Sequence, residues 1–153
     1  MPNGHTTIYG VCTFGQCVGV LPFVDTNHVL LVRQYRYVQR EDFRWEMPTG
    51  GIKLGETPED AAQRELAEEG GYRAQTLNPI NVYYTSKSVC DETAYLYLGS
   101  GLVQHKLPED DTEFLERAIF AFEDVLHMVR ASEIRDGMTV IAVLEAALQR
   151  HEK

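Results

Sequence analysis

The chain has 153 residues, 44% hydrophobic and 24% charged, which suits one domain spanning residues 1–153. Its 23 acidic and 14 basic residues give a net charge of −9, which argues against a nucleic-acid partner because nucleic acids are bound through basic surfaces. The longest apolar stretch, residues 11–24, is too short to cross a bilayer and lacks the basic start of a secretory signal. We therefore expect a cytoplasmic protein with no membrane partner.

The first third of the chain is predicted to consist mainly of strands. Apolar and β-branched runs predict them at residues 6–11, 17–24 and 29–38, and a short one that ends at Pro48. Residues 49–57, with three glycines and polar ends, predict an ordered loop.

A helix is predicted from residue 58 to about residue 69. Thr57 has the character of an N-cap, Pro58 occupies the first helical position, and Asp60 completes a near-capping box. The glycines at 70–71 are a typical C-terminal stop.

The second half of the chain is predicted to add three strands and two helices. The strand-like runs are residues 78–86, 93–103 and 114–122, and helical periodicity follows at 123–131 and 137–151. This order favours one α+β domain with a mixed sheet between helices.

Cysteine and histidine indicate neither a disulfide framework nor a zinc site. The three cysteines include no C-x-x-C pair, and the five histidines are scattered. Four arginines, however, fall within twelve residues: Arg33, Arg36, Arg40 and Arg44. One basic patch on an acidic chain suits a small anionic ligand, with a solvated surface edge as the alternative.

Three glutamates lie close together near the end of the predicted helix. Glu65, Glu68 and Glu69 would fall within an arc of roughly 100° at 3.6 residues per turn. Like charges at this spacing destabilise a helix by roughly 0.2–0.5 kcal/mol per pair. A bound Mg²⁺ would turn the repulsion into attraction, since this ion prefers carboxylate oxygens. Taken alone, the cluster also suits a solvated acidic face.

The wider pattern around these glutamates resembles the Nudix box, G-x5-E-x7-R-E-U-x-E-E-x-G-U, where U is bulky and apolar. Leu66 fits the first U, and Tyr72 is a looser fit to the last. At residue frequencies of roughly 5–7%, a chance match of seven fixed positions is of order 10⁻⁹ to 10⁻⁸. The matching residues are Gly50, Glu56, Arg64, Glu65, Glu68, Glu69 and Gly71.

The resemblance implies an α/β/α sandwich around a mixed sheet, and hydrolysis of a nucleoside diphosphate linked to a moiety X with Mg²⁺ or Mn²⁺. It also implies roles for the acidic residues. Glu65 and Glu69 should be the main metal ligands, with Glu68 a further ligand or the base. The backbone carbonyl of Thr49 would be an extra ligand.

Other positions of the motif carry supporting roles in this resemblance. Arg64 would orient a carboxylate through its rigid fork of donors. Glu56 would support the start of the helix or a second metal. Gly50 and Gly71 complete the fixed positions of the motif.

Stretches outside the motif resemble the ADP-ribose pyrophosphatase and nucleotide-sugar branch of the Nudix family, over roughly residues 28–148. They include "LLVRQYRY" and "WEMPTGGI". In that branch an acidic loop before the last strand often supplies the base, so the resemblance makes Asp111, Glu113 and Glu116 candidates, with Glu113 favoured. Candidates for substrate contacts are Arg36, Arg44 and Glu46.

Two departures leave the substrate open. Members that act on ADP-ribose typically carry a proline about fifteen residues beyond the motif, where this chain has Ser86 and Lys87. The N-terminal region is also short for the swapped dimer of the longer enzymes, although we expect a homodimer. The alternatives are a dinucleoside polyphosphate or nucleoside triphosphate hydrolase, a non-catalytic nucleotide-sugar sensor, and an isomerase using Cys90.

Overall fold

The fold consists of seven strands, three α-helices and one π-helical turn within the part of the chain that the computed structural model describes, residues 2–105, 107 and 115–151. In chain order these are β1 (Gln16–Pro22), β2 (His28–Arg36), β3 (Glu41–Glu46), β4 (Thr49–Gly51), α1 (Pro58–Glu65), the π turn (Leu66–Gly70), β5 (Tyr72–Tyr84), β6 (Thr93–Gln104), β7 (Glu116–Ala121), α2 (Phe122–Arg130) and α3 (Gly137–His151).

The strands form two sheets. The larger has the order β4-β1-β6-β5, with β1 parallel to β6 and the other pairs antiparallel. The smaller is antiparallel, with the order β3-β2-β7. The predicted α/β fold with a mixed sheet is therefore confirmed.

Helices cover both sides of the mixed sheet. Side chains of α2 and α3, such as Phe122 and Val143, pack in one apolar cluster with Leu96 of β6. The next residue of β6, Tyr97, packs in a second cluster with Ala62 of α1. Successive side chains of a strand point to opposite faces, so the sheet lies between two helical layers.

Two strand predictions differ from the structure, and residues 49–51, predicted as the start of a loop, form strand β4 paired with β1. Residues 6–11 form no strand. The next residue, Cys12, forms an isolated bridge with Cys90. Strand β5 begins at Tyr72, earlier than predicted, and continues past Pro79 with a shift of register there. A strand is stabilised by pairing with a neighbour, and residues 6–11 pair with no strand of the described part of the chain. The register shift accommodates Pro79, because proline has no N–H to donate to the ladder.

None of the helices within the described residues is both long and apolar enough to cross a membrane.

Candidate active site

The N-terminal end of α1 fixes where the glutamate-bearing helix starts. The hydroxyl of Thr57 accepts a hydrogen bond from the backbone N–H of Asp60 at 3.1 Å and donates one to its carboxylate at 2.7 Å. Pro58 is the first helical residue. The predicted cap at Thr57 is confirmed.

The helix changes pitch at the three glutamates. It is α-helical to Glu65, whereas residues 66–70 form a π turn closed by a hydrogen bond from the N–H of Gly71 to the carbonyl of Leu66. Gly71 ends the turn with a left-handed φ of 80°, which glycine adopts without strain. Such π turns interrupt helices frequently at functional sites.

Arg117 of β7 holds the open end of this π turn. Its Nε donates to the carbonyl of Glu69 at 2.5 Å, and its Nη2 donates to the carbonyl of Glu68 at 3.3 Å. The last carbonyls of a helix have no partner within it, so this guanidinium replaces the missing donors. Arg117 was not predicted from the sequence, because it lies outside the motif.

Glu69 is buried and fixed by neighbours on two strands. The residue as a whole is 3% exposed. Its Oε2 accepts a hydrogen bond from the backbone N–H of Thr49 at 2.8 Å, and its Oε1 accepts one from Nε2 of Gln34 at 3.4 Å. Thr49 and Glu69 are therefore brought together, through the N–H of Thr49.

Arg64 gathers the remaining acidic side chains of the motif. It grips both carboxylate oxygens of Glu56, at 2.7 and 2.9 Å. Its Nη1 donates to Glu65 at 2.6 Å and to Glu68 at 3.0 Å. Its Nη2 also donates to the carbonyl of Gly51 at 2.9 Å, so one guanidinium connects the helix to the end of β4.

These contacts separate the acidities of the clustered carboxyl groups. The hydrogen bonds from Arg64 lower the pKa of Glu56 to about 2. Burial raises the pKa of Glu65, and Arg64 offsets part of that rise. Burial disfavours the ionised form of a carboxyl group, and a nearby cation stabilises that form.

The donor set fits a hard divalent cation. The motif offers carboxylate oxygens without histidine or cysteine, and the absence of a side chain at Gly50 leaves room for the carboxylate of Glu65. In the structure, Glu65 and Glu68 face Arg64 while Glu69 faces Thr49. Accordingly, among residues 2–105, 107 and 115–151 no group of three or more histidine, cysteine, aspartate or glutamate side chains already surrounds a cation position.

A cavity of about 360 Å³ adjoins this cluster and contains the three predicted substrate contacts. Arg36 pairs with Glu46 at 2.6 Å, and Arg44 donates to the carbonyl of Glu133 at 3.2 Å. Burial raises the pKa of Glu46, opposed by Arg36. The lining residues are Gln34, Arg36, Val38, Gln39, Arg44, Trp45, Glu46, Arg135 and Asp136.

Gln34, Arg135 and Asp136 line the cavity but were not predicted from the sequence to do so. Gln34 lies two positions before Arg36 on β2, so strand alternation could have placed it on the same face. Asp136 lies just before α3, and its carboxylate accepts a hydrogen bond from the N–H of Thr139 at 2.8 Å. Nothing in the sequence brought Asp136 or Arg135 to the cavity.

Of the three candidates for the general base around the predicted acidic loop, the structure describes Glu116. Glu116 pairs with Arg33 at 2.7 Å, whereas its neighbour Arg117 contacts the π turn. Adjacent residues of a strand point to opposite faces, so Glu116 is turned away from the glutamates of the helix. Asp111 and Glu113 lie outside the described residues.

Comparison with known proteins assigns the family. The family model for the NUDIX domain matches residues 13–139. The chain belongs to the Nudix hydrolase family. The matched region contains the whole Gly50–Gly71 motif, and the family and enzyme class predicted from the sequence are confirmed.

Several Nudix relatives are similar along most of their length. An ADP-ribose pyrophosphatase of Bacillus subtilis (strain 168) is 34% identical over 97% of this chain and 83% of that protein. A methanol dehydrogenase activator of Bacillus methanolicus is 30% identical over 97% of this chain and 81% of its own length. An ADP-ribose pyrophosphatase of Mycobacterium tuberculosis (strain ATCC 25618 / H37Rv) is 28% identical over 94% of this chain and 70% of that protein.

The fold also matches a solved Nudix-like structure. A crystal structure of an ADP compounds hydrolase superposes with a TM-score of 0.81 over 90% of this chain and 73% of that chain. Its sequence is 23% identical, so this likeness supports the fold alone.

Proposed function

We propose that this Nudix hydrolase cleaves the pyrophosphate bond of a nucleoside diphosphate linked to X, either ADP-ribose or a nucleoside diphosphate sugar. The products would be a nucleoside monophosphate and a sugar phosphate. The observation that carries the proposal is the contact between Gln34, which lines the cavity, and Glu69, which lies in the motif. It supports a nucleotide cavity beside the acidic cluster. The similarity to two ADP-ribose pyrophosphatases supports this substrate class.

The acidic cluster is proposed to bind Mg²⁺, with Mn²⁺ as a substitute. Glu65, Glu68 and Glu69 would supply carboxylate oxygens, and Thr49 its backbone carbonyl. A divalent ion so bound lowers the pKa of the attacking water and neutralises phosphate charge. Arg64 would position Glu65 and Glu68, to which it already donates.

Two residues are proposed as the general base. Glu68 is the more accessible of the two glutamates that Arg64 contacts on this helix, with 27% of its side chain exposed against 11% for Glu65. An accessible carboxylate can take a proton from water within hydrogen-bond reach. Glu113 is the other proposal, from the resemblance alone.

The remaining motif residues are proposed to support this arrangement. Glu56 neutralises Arg64, Gly50 leaves space for Glu65, and Gly71 ends the π turn.

The substrate is proposed to lie in the cavity beside Glu46. Arg36 and Glu46 form a pair that suits hydrogen bonding to ribose or base, because their charges balance. Arg44 and Arg135 add positive charge to the same wall, which suits a pyrophosphate.

A cytoplasmic location and a homodimer are further proposals. The dimer is supported by exposed apolar side chains of the N-terminal segment, Ile8, Val11 and Phe14. Apolar residues exposed together mark interaction surfaces. Light scattering on the wild type and on Phe14→Asp tests it: we expect a dimer that the substitution dissociates, and a monomeric wild type would refute it.

The experiment that tests the function is hydrolysis of a substrate panel with Mg²⁺ and then with EDTA, followed by chromatography of the products. The panel contains ADP-ribose, ADP- and GDP-sugars, a dinucleoside tetraphosphate and the nucleoside triphosphates. We expect metal-dependent release of a mononucleotide from the sugar-linked members. Glu68→Gln and Glu69→Gln should each lower turnover about a hundredfold or more with the fold intact.

Two results would overturn the proposal. Faster turnover of the tetraphosphate or triphosphates would reassign the substrate. Binding of a nucleotide sugar without any turnover would indicate a sensor instead of an enzyme acting on this class.

A further inference from the structure

Gln34 is a buried amide between two buried carboxylates. As whole residues, Gln34 is 6% exposed, Glu46 7% and Glu69 3%. Nε2 of Gln34 lies 3.4 Å from Oε1 of Glu69, and Gln34 lines the same cavity as Glu46, where its side chain opposes the rise that burial causes in the pKa of Glu46. A side-chain amide carries two N–H donors, so one residue can serve both acids.

The two acids belong to different parts of the proposed site. Glu46 lines the cavity and is paired with Arg36, whereas Glu69 belongs to the acidic motif. Like charges buried near each other repel, and an amide that donates to Glu69 beside Glu46 offsets this repulsion. Buried side-chain polar atoms without a hydrogen-bond partner are absent from the described residues, so the amide is part of a satisfied network.

Gln34 also holds one of the two oxygens of Glu69. The backbone of Thr49 fixes Oε2 at 2.8 Å, and Gln34 reaches Oε1. A change at Glu46 that pulls the amide would therefore change the direction in which Glu69 presents Oε1.

We infer that Gln34 is a positioning residue that links the nucleotide cavity at Glu46 to the metal-binding carboxylate of Glu69. The inference rests on the proposed function, since it assigns Glu69 to the cation and the cavity to the nucleotide. Through this link, the state of Glu46 sets how well Glu69 binds a divalent ion.

The first test measures Mn²⁺ binding to the wild type and to Gln34→Met by electron paramagnetic resonance, in the absence of nucleotide. Methionine has a similar length and no N–H donors. Loss of a hydrogen bond that orients a metal ligand typically weakens metal binding about 10- to 100-fold, and we expect a loss in that range. Gln75→Met, an exposed residue of β5, is the matched control and should bind Mn²⁺ as the wild type does.

The second test asks whether Glu46 acts through Gln34. Glu46→Gln should weaken Mn²⁺ binding several-fold in the wild-type background and should have no further effect in Gln34→Met. Such non-additivity is the signature of residues that share a contact. An effect of the Glu46 charge through space would persist in Gln34→Met and would overturn the link.

Folding is monitored by melting temperature and near-ultraviolet circular dichroism in EDTA. If Gln34→Met does not fold, Gln34→Asn takes its place, because it keeps the amide but is one methylene too short to reach both acids. Wild-type Mn²⁺ affinity in the folded variant would refute the inference. If the wild type still hydrolysed ADP-ribose with Mg²⁺, the proposed function would stand; a wild type that neither binds Mn²⁺ nor hydrolyses the panel would refute both.

Discussion

The carboxylate of Glu65 occupies the space that a side chain at Gly50 would need. A Cβ added to Gly50 would lie 2.1 Å from Oε1 and 2.2 Å from Cδ of Glu65. Glu65 is 8% exposed, and a hydrogen bond from Arg64 holds its carboxylate in this position. The glycine of the motif is therefore explained by close approach of a carboxylate to the backbone, because its φ lies outside the left-handed region.

Gly50→Ala should lower activity more than stability. The contact is with the end of a side chain, so Glu65 can shift and the protein can still fold, but its carboxylate is displaced from the proposed metal position. Misplacement of a reacting group by about 1 Å can cost on the order of a hundredfold in rate, and we expect a loss of this size in kcat on the best panel substrate.

The adjacent glycine provides the control. A Cβ at Gly51 meets no atom within 4 Å, so Gly51→Ala should retain wild-type turnover. Equal losses in both variants would show that the loop backbone, and not the space for Glu65, limits activity.

Arg64→Lys should damage both the site and the fold. Arg64 donates to three glutamates and to the carbonyl of Gly51, and lysine cannot reproduce this planar set of donors. We expect a loss of about 1–3 kcal/mol in the free energy of unfolding, measured with urea, because charged groups lose hydrogen bonds. Turnover should fall about 10- to 100-fold. The exposed Arg130→Lys should change neither; an unchanged rate in Arg64→Lys would remove its positioning role.

Glu56 should contribute to stability only above acidic pH. Its folded pKa is about 2 and its ordinary value is 4.5, so the unfolded state binds the proton first as the pH falls. The stabilisation is fully present above pH 4.5 and is lost as the pH falls toward about 2. Glu56→Gln should therefore differ from the wild type in melting temperature at neutral pH and converge with it in acid. A constant difference would indicate loss of packing instead of the ion pair.

Local signals predicted the parts of the site that local contacts determine. The cap at Thr57, Pro58 at the first helical position and the stop at Gly71 depend on hydrogen bonds or dihedral angles within a few residues. Their residue types are therefore readable in the sequence. The contact between Arg64 and Glu56 is also local, because Glu56 lies just before the first turn of the helix that carries Arg64.

Contacts distant in sequence determined the parts that were missed. Arg117, which donates to the end of the π turn, lies 48 residues beyond Glu69, and Gln34 lies 35 residues before Glu69. Because of this turn, a uniform 3.6-residue period does not describe how Glu65, Glu68 and Glu69 are arranged. Strand propensity at residues 6–11 was likewise insufficient, because within the described residues this segment forms no ladder with another strand.

Cys17 should resist alkylation. Burial, and then the charge of Glu92, raise its pKa to about 12, so on the order of one in 10⁴ of these thiols is ionised at about pH 8. Iodoacetamide followed by peptide mass spectrometry should modify the exposed Cys12 well before Cys17. Glu92→Gln should speed modification of Cys17 by removing one cause of the shift. Equal rates for Cys12 and Cys17 in the wild type would contradict the buried environment.

Thr139→Val should reveal how strongly α3 supports the strand that leads to the site. The hydroxyl of Thr139 is fully buried, accepts from the N–H of Met47 at 3.0 Å and donates to Asp136 at 2.6 Å. Valine has the same shape without the hydroxyl, so the N–H of Met47 is left buried and unpaired. That costs about 1–3 kcal/mol, and urea unfolding should show a loss of this size. Thr76→Val, on an exposed position of β5, should be nearly neutral. If both variants lose the same free energy, the hydroxyl contact with Met47 does not support the fold.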